Sequence, residues 1–262
     1  MVNRKIPPEY LDEIQSRLSG YKSNENLIDA SKHMLNMMNW NHYAYNFTWF
    51  GRPVIQLPQD TVTFQELIWD VCPDLIIETG VAHGGSIVFS ASMLALLEAF
   101  DLVHAPKVIG IDISIRATNR AAIESHPASK WITLIEGSSV SPEVVSKVHH
   151  IAKKHKKVML FLDSNHTHDH VLAELQAYAE LVTPNSYCII LDTGIEDIDP
   201  SAIAPGKPWG KGNSPKSALE AFTLTNSHFE VDTHFQEKAW FMSAQGGILR
   251  RKNVIDQFDI SS

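Results

Sequence analysis

Three residues near the ends of two apolar runs are of types that can together hold a cation and move a proton. Asp163 closes the run VMLFLD, Asp192 closes CIILD, and His166 follows Asp163 by three positions. Two carboxylates brought to one place repel, and a hard divalent cation relieves the repulsion. Mg2+ takes oxygen ligands and keeps several waters, so Asp163 and Asp192 suffice as its protein ligands. A hydroxyl bound to such an ion is oriented and becomes more acidic. An unperturbed imidazole changes charge near neutral pH, so His166 is the candidate base, with Asp163 beside it as the second catalytic residue. His168 and His170 read as polar residues of a helix's first turn, with Thr167 or Asp169 as cap. Their spacing of two from His166 does not suit one helical face, which argues against a cluster of imidazoles around a transition metal.

A second group lies earlier. Glu78-Thr79-Gly80-Val81-Ala82-His83-Gly84-Gly85-Ser86 ends one apolar run and opens a helix. Gly80, Gly84 and Gly85 allow a sharp turn and close approach to a ligand, and the helix's first amides favour an anionic group. Gly80, Ala82 and Gly85 give GxAxxG, one residue away from the dinucleotide fingerprint. Glu78 beside it would repel a pyrophosphate and suits an amino group instead. Asp112, at the end of VIGID, is placed to accept ribose hydroxyls or to cap the next helix. Ser138 follows the next run, where small polar residues can border a base. These positions predict a nucleoside-containing ligand.

The elements that must position these residues alternate. Apolar runs at 75–79, 107–112, 131–136, 158–163 and 186–192 read as strands. Segments 63–71, 86–100, 115–125, 142–154 and 168–181 read as helices. Five such strands interleaved with helices predict an α/β domain with a mostly parallel sheet and helices on both faces. A helix at 215–224 and extended runs at 229–234, 239–243 and 246–250 follow, and the final pair predicts an antiparallel hairpin at the sheet edge. Residues 8–40 carry helical periodicity broken at Gly20, and an aromatic stretch runs from Trp40 to Phe50. Three segments are therefore expected: an N-terminal helical and aromatic extension (1–55), the main domain (56–252) and a tail (253–262). Residues 194–214, rich in Gly, Pro and Asp, form a long loop carrying Trp209, which reads as a cover over the site.

The bulk numbers exclude several classes. The chain has 262 residues, a formal net charge of -8 and 44% hydrophobic residues, which suits one large folded domain. A nucleic-acid partner is not expected, because the one basic cluster, 153–157, sits at a predicted helix end. No apolar run reaches 18 residues, so no membrane span is expected. Two isolated cysteines, Cys72 and Cys188, suit a reducing, cytoplasmic setting.

The segments IIETGVAHGGS (76–86), IGIDI (109–113), LDSNHTHDHVLAEL (162–175) and KPWGKGNSPKSALEAF (207–222) resemble the cephalosporin hydroxylase / rhamnosyl O-methyltransferase family, over roughly residues 45 to 251. The DSNHTHDHV segment is the most specific part. The resemblance implies a Rossmann-like class I methyltransferase fold with a seven-stranded sheet, S-adenosylmethionine (SAM) as donor and Mg2+ as helper. It implies a small-molecule acceptor, typically a sugar hydroxyl of a glycosylated natural product, and we expect a homo-oligomer. By position, Glu78, Gly80, Ala82, Ser86, Asp112 and Ser138 line the SAM site, with Gly84 and Gly85 in the same loop and Asp163 at its edge. Asp163 and Asp192 hold the metal and His166 is the base. Some members carry an acidic residue immediately before the position of Asp192, where this chain has Leu191. Thr193, water or the acceptor would then complete the metal shell. Trp40, Tyr43, Tyr45 and Trp49 are candidates for a wall of the acceptor pocket, or for core. Two rival functions are an NAD(P)-dependent oxidoreductase, favoured by GxAxxG, and a binding protein with a decayed metal site, favoured by Leu191.

Overall fold

The computed structural model describes residues 6–253. Two helices come first, α1 (Pro8–Lys22) and α2 (Glu25–Trp40). Gly20 lies inside α1, so the break is not where a helix-breaking glycine predicts it. It falls at Asn24, whose side chain accepts the Leu27 amide at 3.1 Å and caps α2. A small antiparallel ribbon follows, β1 (Phe47–Trp49) and β2 (Arg52–Val54). Then come α3 (Pro58–Val71), β3 (Leu75–Thr79), α4 (Gly85–Ala99), β4 (Lys107–Asp112), α5 (Ala117–Glu124) and β5 (Ile132–Glu136). The chain continues through α6 (Pro142–Ala152), β6 (Val158–Leu162), α7 (His168–Tyr178) and β7 (Tyr187–Ile190). It closes with α8 (Pro215–Thr225), β8 (Phe229–Val231), α9 (Thr233–Ala239) and β9 (Ile248–Arg251).

Seven strands form one sheet in the order β5-β4-β3-β6-β7-β9-β8. The first five are mutually parallel, and β9 pairs antiparallel with both β7 and β8. Alternate residues feed two cores. Ile76, Val108, Met159, Phe161 and Ile189 enter one, and Leu75, Ile77, Ile109, Leu160 and Cys188 the other. Burial on both faces is why these strands read as unbroken apolar runs. Both cysteines are free and buried. Among the described residues no helix is long and apolar enough to cross a membrane.

The antiparallel end is present but is built differently from the hairpin expected. Residues 232–239 are not extended: Asp232 accepts the His234 amide at 3.1 Å and starts α9. The expected strand at 239–243 is absent, because Ala239 ends that helix and Trp240 turns out of it at φ 59°. The run Ala239–Met242 is apolar, but a short apolar run does not by itself separate a strand from a helix end and turn. The paired strands are β8 and β9, joined through α9. Of the expected tail, residues 254–262 lie outside the described residues.

β3, the first of the parallel strands in the chain, lies between β4 on one side and β6 on the other, so the winding of the sheet reverses there. A crevice opens beyond the strand ends at such a reversal. The ribbon β1–β2 packs against α4 rather than standing apart from the main domain. Trp49 donates to Ser92 Oγ at 2.9 Å and meets Phe89 edge-on at 4.9 Å. Gly85 is the close point, since a β-carbon there would fall 2.2 Å from the Pro53 carbonyl oxygen. Gly85→Ala is therefore expected to push β2 off α4 and to destabilise the protein by about 1–3 kcal/mol. Urea unfolding would register this as a lowered midpoint.

Candidate active site

The crevice between β3 and β6 is held by a backbone contact. The Asp163 amide donates to the Thr79 carbonyl at 3.0 Å. Gly80, at φ 92°, passes so near that a β-carbon would lie 2.0 Å from the Asp163 carbonyl oxygen. Only glycine fits both the dihedral and the space.

Beyond these tips Asp163, His166 and Asp192 each bring a ligating atom within 4.8 Å of the others. The pair expected to share an ion is thus together, and the imidazole is with it. His166 Nε2 lies 3.2 Å from Asp192 Oδ2. β7 ends at Ile190, and Asp192 adopts a left-handed φ of 56°, a conformation that Asp tolerates better than most residues. That turn brings its carboxylate back toward Asp163. Leu191 is 2% exposed and belongs to the core. Thr193 does not turn to the ion site, because its hydroxyl donates to the carbonyls of Gln245 and Ser243. Glu196 is spent on the Gly212 amide and Ser214, and Asp197 pairs with Lys216 at 2.7 Å.

The three neighbouring histidines face three different places. His166 meets Trp209 edge-on at 4.8 Å. His168 contacts Ser217 of α8 at 2.9 Å, and His170 contacts Glu174, Ser139 and Ser164. Neither His168 nor His170 serves only as a polar cap.

Two cavities meet at this cluster. The smaller, about 300 Å³, is bordered by Gly80, Ala82, Asp112, Ser138, Asp163 and His170 among others. The larger, about 370 Å³, is bordered by His166, Asp192, Tyr43, Tyr45 and Gln56 among others. Ser164 and Trp209 touch both. Of the four aromatic residues expected as a wall, Tyr43 and Tyr45 line the larger cavity. Trp49 is core, and Trp40 donates to Ser201 of the 194–214 segment at 3.3 Å.

The glycine loop is less free than its sequence implies. Glu78, Gly84, Gly85 and Ser86 are not among the residues bordering the smaller cavity. The missing side chains of Gly84 and Gly85 make room for Ile123 and Pro53. Asp112 is already engaged: Oδ2 accepts the Val81 and Ala82 amides at 2.9 and 3.2 Å, and Oδ1 accepts the Ser114 amide at 3.0 Å. A carboxylate has about four acceptor sites, so Asp112 has room for one further hydroxyl rather than two. Residues that the sequence did not single out clamp the loop from behind. Arg52 donates to the His83 carbonyl, and Asn119 donates to the Ala82 carbonyl at 2.8 Å. Nothing local marks either as part of a site, since both act from other elements.

The site is strongly electronegative. Asp163 is held well above the usual carboxylate range by burial first, then by the negative charges of Asp192, Glu78, Asp60 and Glu174. Burial pushes Glu78 up to about 7, against hydrogen bonds from Ser86 and Ser90. Its Oε1 is buried without a partner. Burial likewise pushes Asp60 up to about 7, against hydrogen bonds from Ser243 and Leu57. Asp60 also escaped the sequence reading, where LPQD looks only like a helix start. Such a set fits cations: a divalent ion between Asp163 and Asp192, and an ammonium group near Glu78.

A family model described as rhamnosyl O-methyltransferase/CmcI matches residues 41–252. The rhamnosyl O-methyltransferase of Mycobacterium leprae (strain TN) is 28% identical over 217 residues, which is 81% of this chain and 87% of that protein. Among solved structures, CmcI-N160 in its apo form gives a TM-score of 0.53 at 20% identity, covering 80% of this chain and 78% of that one. The Mg-SAM form of CmcI-D160 gives 0.51 at 18% identity with the same coverage. These two structural likenesses speak for the fold.

Glu78 is raised from 4.5 to about 7 in the fold, so the native state holds its proton over a range where the unfolded chain has lost it. The stability it contributes is complete below about pH 4.5 and is lost as pH rises toward 7 and beyond. Urea unfolding of the ligand-free protein is expected to show Glu78→Gln more stable than wild type at pH 8, by roughly 1–3 kcal/mol. That advantage disappears at pH 4.5. A variant equally shifted at both pH values would contradict the assignment.

Proposed function

The chain belongs to the rhamnosyl O-methyltransferase/CmcI family, and with it to the SAM-dependent O-methyltransferases. On that footing we propose that it methylates a hydroxyl of a small, glycoside-like acceptor with the help of Mg2+. The observation that carries this reading is the position of Asp163, His166 and Asp192 at the wall where the two cavities meet. A donor in the smaller cavity and an acceptor in the larger would face one another across it.

When bound, SAM supplies an electrophilic methyl group, and a divalent ion makes an acceptor hydroxyl more acidic. The chain's own residues do the rest. Asp163 and Asp192 would hold the ion, and Leu191 offers no third carboxylate beside them. Glu78 does not itself border the smaller cavity, but its buried Oε1 is without a partner and would be the acceptor for the ammonium of the methionine end. Gly80, Ala82, Asp112 and Ser138 border the nucleoside, Asp112 with one free acceptor site. Gly84, Gly85 and Ser86 set the first turn of α4 above Glu78. His166 is the base that takes the hydroxyl proton, and Asp192 Oδ2, 3.2 Å from its Nε2, orients the ring and steadies the imidazolium that results.

The walls of the larger cavity support a polyhydroxylated acceptor. Gln56 is 6% exposed with Oε1 unpartnered, and Asn39 and Lys207 line the same space. Trp209, with Lys207 Nζ 4.7 Å from its ring centre, offers a flat face of the kind that stacks on sugars. The segment 194–214 that carries it covers the site and excludes water. The electronegative surroundings disfavour a pyrophosphate, which weighs against the NAD(P) alternative.

Incubation with SAM labelled in its methyl group and a panel of rhamnosides tests the proposal. On any acceptor that the wild type methylates, His166→Ala is expected to lower kcat by about 10²–10⁴-fold with SAM affinity intact. Asp163→Ala is expected to abolish stimulation by divalent ions. Undiminished turnover by Asp163→Ala in a chelator would contradict the metal's role.

A further inference from the structure

Glu174 is a fully buried carboxylate that the reaction above does not use. It lies on α7, and its side chain is 0% exposed. Its oxygens draw on several elements. Thr79 Oγ1, at the tip of β3, donates to Oε2 at 3.2 Å. Ser164 Oγ, just past β6, donates to Oε1 at 2.7 Å. His170 Nε2 lies 3.2 Å from the same oxygen, one helical turn earlier. That nitrogen is also 3.2 Å from Ser139 Oγ, beyond the end of β5, and 3.1 Å from Ser164 Oγ.

An ionised carboxylate only accepts hydrogen bonds, so with Glu174 ionised the tautomer of His170 that fits these contacts is the one with its proton on Nε2. The hydroxyl oxygens of Ser139 and Ser164 then accept from that N–H. The proton of Ser164 is committed to Glu174. The proton of Ser139 has no acceptor assigned among these groups and is free to point into the smaller cavity, which Ser139, Ser164 and His170 all border. We propose that Glu174 is a positioning residue: through His170 it aims the Ser139 hydroxyl as a donor at an acceptor nitrogen of the purine. The inference rests on the reading that this cavity takes the adenosine half of SAM.

The step from carboxylate to purine has three links, and each has a consequence. Removing the charge at Glu174 frees the His170 tautomer. A His170 that loses its Nε2 proton becomes an acceptor for Ser139 and draws that hydroxyl away from the cavity. The effect belongs to the adenosine half alone and leaves the Glu78 end of the pocket unchanged.

Calorimetry with SAM and with 5′-methylthioadenosine, which lacks the amino acid, tests this. Glu174→Gln is expected to weaken both ligands by the same factor, about tenfold or more. Ser139→Ala, which needs no buried rearrangement, is expected to weaken both in the same way, whereas Glu78→Gln weakens SAM alone. Nitrogen-15 NMR of the His170 ring is expected to show the Nε2–H tautomer in wild type and its loss in Glu174→Gln. A lowered melting temperature alone would not produce that signature. Unchanged affinity for 5′-methylthioadenosine in Ser139→Ala, or a His170 tautomer indifferent to Glu174→Gln, would overturn this inference alone. A wild type that binds neither ligand would overturn the parent reading and this one with it.

Discussion

The structure turns on the near-contact of two strand tips. Gly80 passes the Asp163 carbonyl oxygen at a distance that leaves no room for a side chain, and the Asp163 amide bonds to Thr79. That approach closes the sheet at the point where its winding reverses, and it decides where everything else can stand. The glycine loop leaves on one side of the join, and the segment with Asp163, Ser164 and His166 leaves on the other. Separating the strands by even the width of a methyl group would open the wall between the cavities and unseat the carboxylate at its centre.

The second feature is charge. Asp60, Glu78, Asp163, Glu174 and Asp192 converge on the same end of the sheet, and the first three sit above the usual carboxylate range, chiefly because burial penalises their charged forms. A protein holding several such groups in a low-dielectric interior is less stable for it, and the cost is offset when cations arrive. An ammonium, a sulfonium and a divalent ion are all positive, so one electrostatic environment serves donor and metal together. The same environment repels a pyrophosphate. Glu78 therefore says more about the ligand than the spacing of the glycines does.

Much of this was legible in the sequence, for physical reasons. Strands buried on both faces show as apolar runs, and the residue that ends each run is the one at the mouth, so Asp112, Asp163 and Asp192 could be named without coordinates. Other parts depended on contacts between distant elements. Arg52 reaches His83 from a separate ribbon, Glu174 meets two strand tips directly and a third through His170, and Asp60 acts through Ser243. None of these has a local pattern. The glycines at 84 and 85 have a packing role that the sequence did not show. Their missing side chains admit Ile123 and Pro53 respectively. The C-terminal misreading came from a short apolar run at 239–242, read as a strand although the capping aspartate, Asp232, had already started a helix that ends at Ala239.

The N-terminal helices and the 194–214 segment behave as one cover. Asn36 of α2 accepts the Asp199 amide at 3.0 Å, Trp40 reaches Ser201, and Leu35 and Met38 line the larger cavity with Ile203. This cover shapes the larger cavity, and the strand tips bring Asp192 and His166 to its floor. The most direct test of the account is a crystal structure with SAM and Mn2+, the ion located by anomalous scattering. The account predicts one ion bound by Asp163 and Asp192 together, with the methyl group of SAM directed at the cavity that Trp209 covers. An ion bound elsewhere, or a methyl group directed away from His166, would contradict it.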